Sequence, residues 1–261
     1  PTDIFVRTYD KKKEFTKSFA FRMKTDSEKK LTRNTGFYER TSKLTRNFVD
    51  ARGFWLPNDY TKHGVVNEYT ACREKAVVID LSSLRKFEIL GPDAEELMNY
   101  TLTRNIKKLS VGQIVYSAMC YENGTMFDDG TLLRLSETGF RWVCGDEYAG
   151  EWLKEQAKKK NLKVIIKNST DQINNISVQG PNSRKILEKI IFTPPAQPTI
   201  SELQWFRFTI CRLEELNGIP LIVSRTGYTG ELGYEVWCHP DHAPKVWDKV
   251  MEAGKDEGLI P

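Results

Sequence analysis

An internal repeat constrains the fold of this chain more than any other feature of its sequence. The first copy begins with the apolar segment 87–90, which reads as a strand, and continues through a Gly-Pro-Asp turn into an apolar helix face. The second copy begins with the strand-like segment 173–178 and has a matching Gly-Pro turn and apolar stripe. Each copy then gives a hairpin, at 116–135 or 206–223, a further strand and a further helix. The order β-α-β-β-β-α therefore occurs twice and predicts an α+β protein of two antiparallel sheets backed by helices.

The composition is that of an ordinary globular protein. With 39% hydrophobic and 28% charged residues in 261, the chain can bury a sizeable core, which excludes disordered and fibrous classes. No apolar run approaches the roughly 18 residues that a membrane-spanning helix needs, and the lysine-rich N-terminus lacks the apolar segment of a secretory signal. We therefore expect a cytoplasmic protein without a membrane partner.

Six lysines lie between residues 154 and 167, although the net charge of the chain is only +4. Such a run usually forms the solvated end of a helix and the start of a strand. The functional alternative is attraction of a polyanion, either RNA or a polyglutamate tail. Because no nucleic-acid-binding motif accompanies the lysines, we expect no nucleic-acid partner.

Cysteines and histidines do not form metal-binding spacings. The five cysteines include no Cys-x-x-Cys pair, and an odd number in a chain without a secretory signal favours reduced thiols packed as small hydrophobes. Of the three histidines, His239 and His242 flank a Pro-Asp pair, which is more typical of a helix N-terminal cap than of two metal ligands. The sequence therefore predicts no metal site.

The glycine-rich segment 224–235 is the most informative motif for function. Its three glycines fold the backbone tightly around one carboxylate, Glu231, and one phenol, Tyr228, after the apolar strand predicted at 219–223. Glycine permits positive φ and lets the main chain approach a bound ring, so the segment suits a ligand-binding turn. The alternative is an ordinary β-turn with a solvent-facing Glu231.

A second acidic turn lies in the first copy of the repeat. Asn123-Gly124 predicts a hairpin, and a short apolar pair leads from it to Asp128 and Asp129. Adjacent strand residues point to opposite faces, so one aspartate can face a cavity while the other meets solvent or caps a turn. By itself, Asp-Asp-Gly is usually only a turn. Because the two acidic turns come at comparable stages of the two copies, a ligand between the lobes would contact both.

Together the motifs resemble the aminomethyltransferase family of tetrahydrofolate-binding proteins, which includes the glycine-cleavage T protein. The resemblance extends over roughly 225 residues, and several motifs in the family's order are far more specific than any one of them. These motifs occupy residues 35–38, 53–57, 80–83, 91–94, 123–129, 179–181 and 225–233.

The resemblance implies the family's α+β fold of two repeated lobes and tetrahydrofolate as the cofactor. It implies that Glu231 binds the pterin through two parallel hydrogen bonds and that Tyr228 lines the cofactor site. Asp129 is implied as the catalytic residue and as a second cofactor-binding carboxylate beside the N5 and N10 nitrogens. An unperturbed aspartate is ionised at neutral pH, so its negative charge is available for this role. We expect Asp128 to brace the turn instead.

Two departures from the T-protein pattern bear on the one-carbon donor. Ser83 stands where that protein has a histidine, and Tyr69 stands where another histidine often occurs. The variant resembles the folate domains fused to sarcosine and dimethylglycine oxidases or to trimethylamine N-oxide demethylase. We therefore expect capture of formaldehyde from N-demethylation, giving 5,10-methylenetetrahydrofolate. The expected partners are folate, a small methylated amine or other one-carbon donor, and a fused or associated demethylating domain.

Three alternatives stay open. The chain could belong to an aminomethyltransferase of the glycine cleavage system, with a lipoyl-protein partner, or to an S-methyl demethylase that acts on a donor such as dimethylsulfoniopropionate. It could also be a non-catalytic folate-binding module of RNA-modification or iron–sulfur pathways. Relatives of that last kind typically carry a Lys-Gly-Cys motif, which is not visible here, and the retained Asp129 favours chemistry.

The charged, apolar-poor composition of the N-terminal residues and the family resemblance together predict the domain organisation. Residues 1–34 read as an arm or linker, and residues 35–261 as the folate-binding domain, with a lobe at 67–159 inserted between 35–66 and 160–261. The chain stops before the family's Gly-Leu-x-Ala-Arg-Asp-x-Leu-Arg motif. We therefore expect a C-terminal β-rich domain to be missing and the chain to be part of a larger enzyme.

Overall fold

The fold is α+β, as predicted. A computed structural model describes residues 32–261, so the predicted arm at 1–34 lies outside the described residues except for its last three. The helices are α1 (Tyr38–Thr41), α2 (Gly64–Glu74), α3 (Ala94–Thr101), α4 (Tyr148–Lys159), α5 (Ser183–Glu188) and α6 (Ala243–Gly254). The strands are β1 (Arg33–Asn34), β2 (Phe48–Ala51), β3 (Phe54–Pro57), β4 (Ala76–Asp80), β5 (Arg85–Leu90), β6 (Ile114–Cys120), β7 (Met126–Ser136), β8 (Gly139–Cys144), β9 (Ile165–Asn168), β10 (Asn174–Gln179), β11 (Ile191–Phe192), β12 (Phe208–Leu213), β13 (Pro220–Ser224), β14 (Gly233–Cys238) and β15 (Leu259–Ile260).

A five-stranded antiparallel sheet has the strand order β6-β7-β8-β5-β9. Side chains two positions apart on a strand share a face, so Phe87 and Ile89 of β5 both point towards helices α3 and α4. Leu97 of α3 and Leu153 of α4 complete the apolar layer between this sheet and its helices. The apolar stripes of the two helices are therefore buried on one face of the sheet.

A seven-stranded sheet has the order β11-β12-β13-β14-β10-β4-β15, with β15 parallel to β4 and the other pairs antiparallel. Helices α5 and α6 cover one face of it. Ile176 and Val178 of β10 pack there against Ile186 of α5 and Val246 of α6, which forms the larger hydrophobic core. Three further strands form a separate small sheet of order β1-β3-β2. At its β2–β3 turn both Arg52 and Gly53 have positive φ.

The two large sheets pack against each other through the faces that the helices leave free. Leu132 of β7 faces the helices, whereas its neighbour Leu133 joins the apolar cluster between the sheets. Phe208 and Trp237 enter that cluster from the seven-stranded sheet. The Ile114 N–H also donates to the carbonyl oxygen of Phe206, two residues before β12, at 2.8 Å. The order of layers is therefore helix, sheet, sheet, helix.

Two strands, β4 and β9, pair in a different sheet from the one that the lobe bounds 67 and 159 would give them. Strand β4 lies in the seven-stranded sheet beside β10, although the predicted inner lobe at 67–159 contains it, and β9 lies in the five-stranded sheet although it follows residue 159. Gly180 shows the physical reason, since its φ is 120° and a Cβ there would lie 2.6 Å from the Lys75 carbonyl oxygen. Only glycine lets the turn after β10 approach the start of β4 so closely.

Candidate functional site

Asp128 and Asp129 occupy opposite faces of β7. Asp128 is buried, and its carboxylate accepts N–H bonds from Asp129 at 2.9 Å, from Asp146 at 3.0 Å and from Gly145 at 3.3 Å. The bonds from Gly145 and Asp146 tie β7 to the loop that leads from β8 into α4. Asp128 therefore has the bracing role that the sequence predicts.

A β-bulge precedes the aspartate pair. Met119 of β6 pairs with Asp128, but the next residue, Cys120, pairs with Met126, so Phe127 is an extra residue on β7. A bulge changes which side chains face each side of a sheet. Here the bulge lets Phe127 pack against the core between the five-stranded sheet and its helices, the side on which Asp128 also lies. Asp129 lies on the opposite face of the sheet, where regular strand pairing resumes.

Asp129 accepts a hydrogen bond from the phenol of Tyr116, which lies on the neighbouring strand β6. Asp129 pairs with Ala118 and Tyr116 pairs with Thr131, so the two side chains are diagonal neighbours on one face of the sheet. The hydrogen bond to Asp129, with partial burial and the carboxylate charge, raises the pKa of Tyr116 to about 12. At neutral pH Tyr116 is therefore a protonated phenol that donates a hydrogen bond to Asp129. The sequence did not identify Tyr116 as a site residue, although the hairpin register contained the signal.

The glycine-rich loop between β13 and β14 wraps around a buried amide, that of Gln179 on β10. A Cβ at Gly227 or at Gly233 would overlap this amide. The Gln179 side chain accepts from the Thr229 hydroxyl at 2.7 Å and donates to the Thr226 carbonyl at 3.2 Å. Two of the glycines therefore give room to the protein's own glutamine, which corrects the interpretation that the glycines let the main chain approach a ligand. Gln179 was visible in the motif at 179–181, but no role was predicted for it.

Glu231 lies near the end of this loop, and its side chain is 21% exposed. Its N–H donates to the Thr229 hydroxyl oxygen at 3.3 Å, so the Gln179 contacts also fix the backbone of Glu231. One carboxylate oxygen lies 2.5 Å from a guanidinium nitrogen of Arg73, in the last turn of α2. The sequence did not predict Arg73, because it lies 158 positions earlier in the chain.

Tyr228 projects from the same loop and is 93% exposed. It is also near the first acidic motif: after the contributions of Asp129 and burial, the phenol of Tyr228 adds to the raised pKa of Tyr116. The fold therefore brings side chains from both predicted motifs into one neighbourhood, Asp129 with Tyr116 from one sheet and Tyr228 from the loop of the other.

Charged groups for which the sequence predicted no role lie between the two sheets, where the Lys86 ammonium is 5.9 Å from the ring centre of Trp237. Lys86 of β5 is fully buried and donates to the Ser82 carbonyl oxygen at 2.9 Å. Burial lowers the pKa of Lys86 to about 7, while the carboxylates of Asp80 and Glu235 act against that shift. Burial likewise raises the pKa of Glu235 to about 7, opposed by Lys86 and by a hydrogen bond with Thr226. Through Thr226 this buried cluster is linked to the glycine-rich loop.

The other sequence features have structural roles within the described residues. Lys154 and Lys159 form ion pairs with Glu151 and Glu122, and the Lys160 ammonium lies 4.2 Å from the ring centre of Tyr100. All five cysteines are free thiols, three of them buried. The His239 imidazole accepts the N–H of residue 241 at the start of the turn before α6, as a cap would. In the part of the chain that the structure describes, no helix is long and apolar enough to cross a membrane.

Comparisons with known proteins identify the family of this chain. The profile of the GCVT N-terminal domain matches residues 37–261. A trimethylamine-oxide aldolase of Ruegeria pomeroyi is 54% identical over 261 residues, which is 100% of this chain and 33% of that protein. An aminomethyltransferase of Halothermothrix orenii is 32% identical over 232 residues, covering 88% of this chain and 61% of that protein. The chain thus spans between a third and two thirds of the length of these relatives.

Two solved structures share the fold. The glycine cleavage system aminomethyltransferase T from Bartonella henselae superposes with a TM-score of 0.73 at 24% identity, covering 88% of this chain and 59% of that one. The heterotetrameric sarcosine oxidase from Corynebacterium sp. U-96 gives a TM-score of 0.54 at 12% identity, covering 73% of this chain and 91% of that one. The two structures show the fold, and the profile match over residues 37–261 establishes that the chain belongs to the family of the GCVT N-terminal domain.

Proposed function

We propose that this chain is the folate-binding part of an enzyme that transfers one-carbon units to tetrahydrofolate. The reaction we propose is capture of formaldehyde from N-demethylation, giving 5,10-methylenetetrahydrofolate. The observation that carries the proposal is the hydrogen bond of Tyr116 to Asp129 in the first acidic motif, close enough to Tyr228 of the second motif for the two phenols to interact electrostatically. The relative named trimethylamine-oxide aldolase, which is 54% identical over the whole chain, supports a methylated amine oxide as the source.

We propose further that residues 35–261 form one domain of two repeated lobes. The orders β6-β7-β8-β5-β9 and β12-β13-β14-β10-β4 support a repeat, because corresponding strands take corresponding places. The strand pairing supports placing the ends of the inner lobe in the loops after Asp80 and after Asn168, whereas the motifs favour 67 and 159.

The residues present fit a reduced pterin. Its ring offers an N–H and an amino group side by side, and a carboxylate can accept from both. Glu231 supplies such a carboxylate at the edge of the loop, with its side chain partly open to solvent. Tyr228 offers an exposed aromatic face next to it. We therefore assign the pterin to Glu231 and Tyr228 and the reacting nitrogens to Asp129.

When bound, tetrahydrofolate supplies the two nitrogens that take up the one-carbon unit. Asp129 contributes a negative charge towards them, which favours the positive charge that develops as carbon is transferred. Tyr116 keeps the proton on its phenol and donates a hydrogen bond to Asp129, so it orients the carboxylate without neutralising it. Glu231 and the loop held by Gln179 fix the position of the ring, so that its reacting nitrogens lie beside Asp129.

An aminomethyltransferase reaction is the second candidate, since a relative of that name is 32% identical over 88% of this chain. Comparison of two donors with the full-length protein tests the choice. We expect trimethylamine N-oxide and tetrahydrofolate to give methylenetetrahydrofolate with little free formaldehyde, and an aminomethyl group on a lipoyl carrier protein to give none. The reverse result would assign the protein to aminomethyl transfer, and folate binding without either product would make it a binding module or direct the search to S-methyl donors.

The assignment of Glu231 makes a direct prediction. Glu231→Gln keeps the size of the side chain but removes the charged acceptor, so 5-formyltetrahydrofolate should bind more weakly by about 1 to 3 kcal/mol. Isothermal titration calorimetry on the full-length protein measures this, with the exposed Glu74→Gln on α2 as a control that should leave affinity unchanged. Equal affinity of Glu231→Gln and the unaltered protein would remove Glu231 from the site.

A further inference from the structure

The ion pair between Arg73 and Glu231 joins the end of α2 to the glycine-rich loop. We infer that Arg73 is a positioning residue that holds the Glu231 carboxylate in the orientation that receives the pterin. The inference rests on the proposed function of Glu231. It adds Arg73, which lies on α2 and 158 positions before Glu231, to the residues needed for pterin binding.

The geometry of the pair leaves Glu231 available to a ligand. One nitrogen of Arg73, Nη1, lies 2.5 Å from Oε1 of Glu231. This contact is made through Oε1, and each oxygen of a carboxylate can accept more than one hydrogen bond. Arg73 can therefore stay in place while a pair of ring donors approaches the carboxylate.

Two separate anchors act on Glu231. Thr229 and Gln179 hold its backbone, through bonds of 3.3 Å and 2.7 Å, but they do not touch the carboxylate. A glutamate side chain has three rotatable bonds and loses considerable freedom when it is held in one orientation. Arg73 supplies the contact that fixes the side chain before a ligand arrives, which lowers the entropic cost of binding.

Stability alone does not explain this contact. Arg73 is 48% exposed, and ion pairs between exposed groups contribute roughly 0 to 1 kcal/mol to folding. Ala71 is the one buried residue of helix α2, at 8% exposure, while Val65, Val66 and Tyr69 are exposed, so little apolar packing depends on the pair. The consequence of the pair is the fixed direction of the Glu231 carboxylate.

A double-mutant cycle on the full-length protein tests the inference, with Arg73→Gln, Glu231→Gln and the combined variant titrated with 5-formyltetrahydrofolate. We expect Arg73→Gln to weaken binding about five- to tenfold when Glu231 is present, and by less than about twofold in the Glu231→Gln background. Arg73→Lys, which keeps one charge, should recover part of the affinity. Turnover at saturating folate should change little, since Asp129 is untouched.

Three outcomes would overturn the inference. Equal losses in both backgrounds would mean a general structural role for Arg73, and tighter binding by Arg73→Gln would mean that the arginine competes with the ligand. No loss in either background would mean that the pair is incidental. Lys62→Gln, which removes an exposed positive charge from the segment before α2, is the control for general charge effects. If Arg73→Gln does not fold, the same cycle is run with Arg73→Lys.

The cycle also separates this inference from the proposed function. If Glu231→Gln by itself leaves folate affinity unchanged, the assignment of Glu231 to the pterin fails. If Glu231→Gln weakens binding but Arg73→Gln does not, only the role of Arg73 fails.

Discussion

At the scale of single residues, two neighbouring aspartates have different tasks because they face opposite sides of one strand. Asp128 is 8% exposed and satisfies three N–H groups, whereas Asp129 meets a phenol that is itself half exposed. Loss of charge should therefore affect folding at one position and chemistry at the other.

Asp129→Asn should reduce one-carbon transfer on the order of 10² to 10³-fold, because it removes the anion that we propose faces the reacting nitrogens. Folate affinity should change much less. Asp128→Asn should instead lower the free energy of unfolding by about 1 to 3 kcal/mol and leave turnover largely intact. Turnover assays and chemical denaturation of both variants measure this. Loss of turnover in a folded Asp128→Asn, with an active Asp129→Asn, would reverse the assignment.

The pairing of Tyr116 with Asp129 predicts a pH effect. The pKa of Tyr116 is raised to about 12, first by its hydrogen bond to Asp129, so this phenol should stay protonated at pH 11. Asp129→Asn removes the charge that favours the protonated phenol, and the pKa should fall back towards its ordinary value near 10. The absorbance change at 295 nm between pH 8 and pH 11 should then be larger by one tyrosine in Asp129→Asn. The Tyr116→Phe/Asp129→Asn double variant should lack that increment.

At the scale of elements, the loop between β13 and β14 depends on one buried side chain from β10. Gln179 is fully buried, contacts Thr226 and Thr229 of the loop, and occupies the space where Gly227 and Gly233 lack a Cβ. Gly230 differs, since its φ is 76° and a Cβ there would meet nothing within 4 Å. The glycines therefore serve two physical purposes, room for an amide and a left-handed turn.

Gly227→Ala should destabilise the protein by about 1 to 3 kcal/mol, because its Cβ would displace the Gln179 amide. In a Gln179→Ala background the same change should cost much less, since the crowded group is gone. Thermal denaturation of the four proteins measures the coupling. If Gly227→Ala costs the same in both backgrounds, the crowding comes from elsewhere.

At the scale of the whole molecule, the two large sheets share an apolar cluster and buried charges, so we expect them to unfold together. Ile114, Leu133 and Val143 face Phe208 and Trp237 across the interface. Lys86 from one sheet and Glu235 from the other each influence the pKa of the other group. Neither sheet buries its inner face without the other, which is the condition for one cooperative unit.

Phe208→Ala should lower the free energy of unfolding by about 3 to 5 kcal/mol, because it opens a cavity between the sheets. Ile210→Ala on the same strand should cost little, since Ile210 is 50% exposed. Tryptophan fluorescence and circular dichroism should show one coincident transition in each protein. Two separate transitions in Phe208→Ala would mean that the sheets are independent units.

The sequence by itself determined the local elements and the candidate acids. Periodicity and turn signals predicted β5, the β6–β7 hairpin, β14 and helix α6, because alternating and helical apolar patterns follow from which face of an element is buried. The ordered motifs also predicted the family and singled out Asp129, Tyr228 and Glu231.

Only the tertiary structure decided what surrounds those acids. Tyr116 reaches Asp129 through hairpin register, Gln179 reaches the loop from a strand 50 positions earlier than Thr229, and Arg73 reaches Glu231 from a helix of the other half of the chain. The sequence pattern also did not predict that β4 pairs with β10 in the seven-stranded sheet. Strand order and contacts between distant residues depend on which surfaces pack together, and a local pattern of polar and apolar residues does not encode that choice.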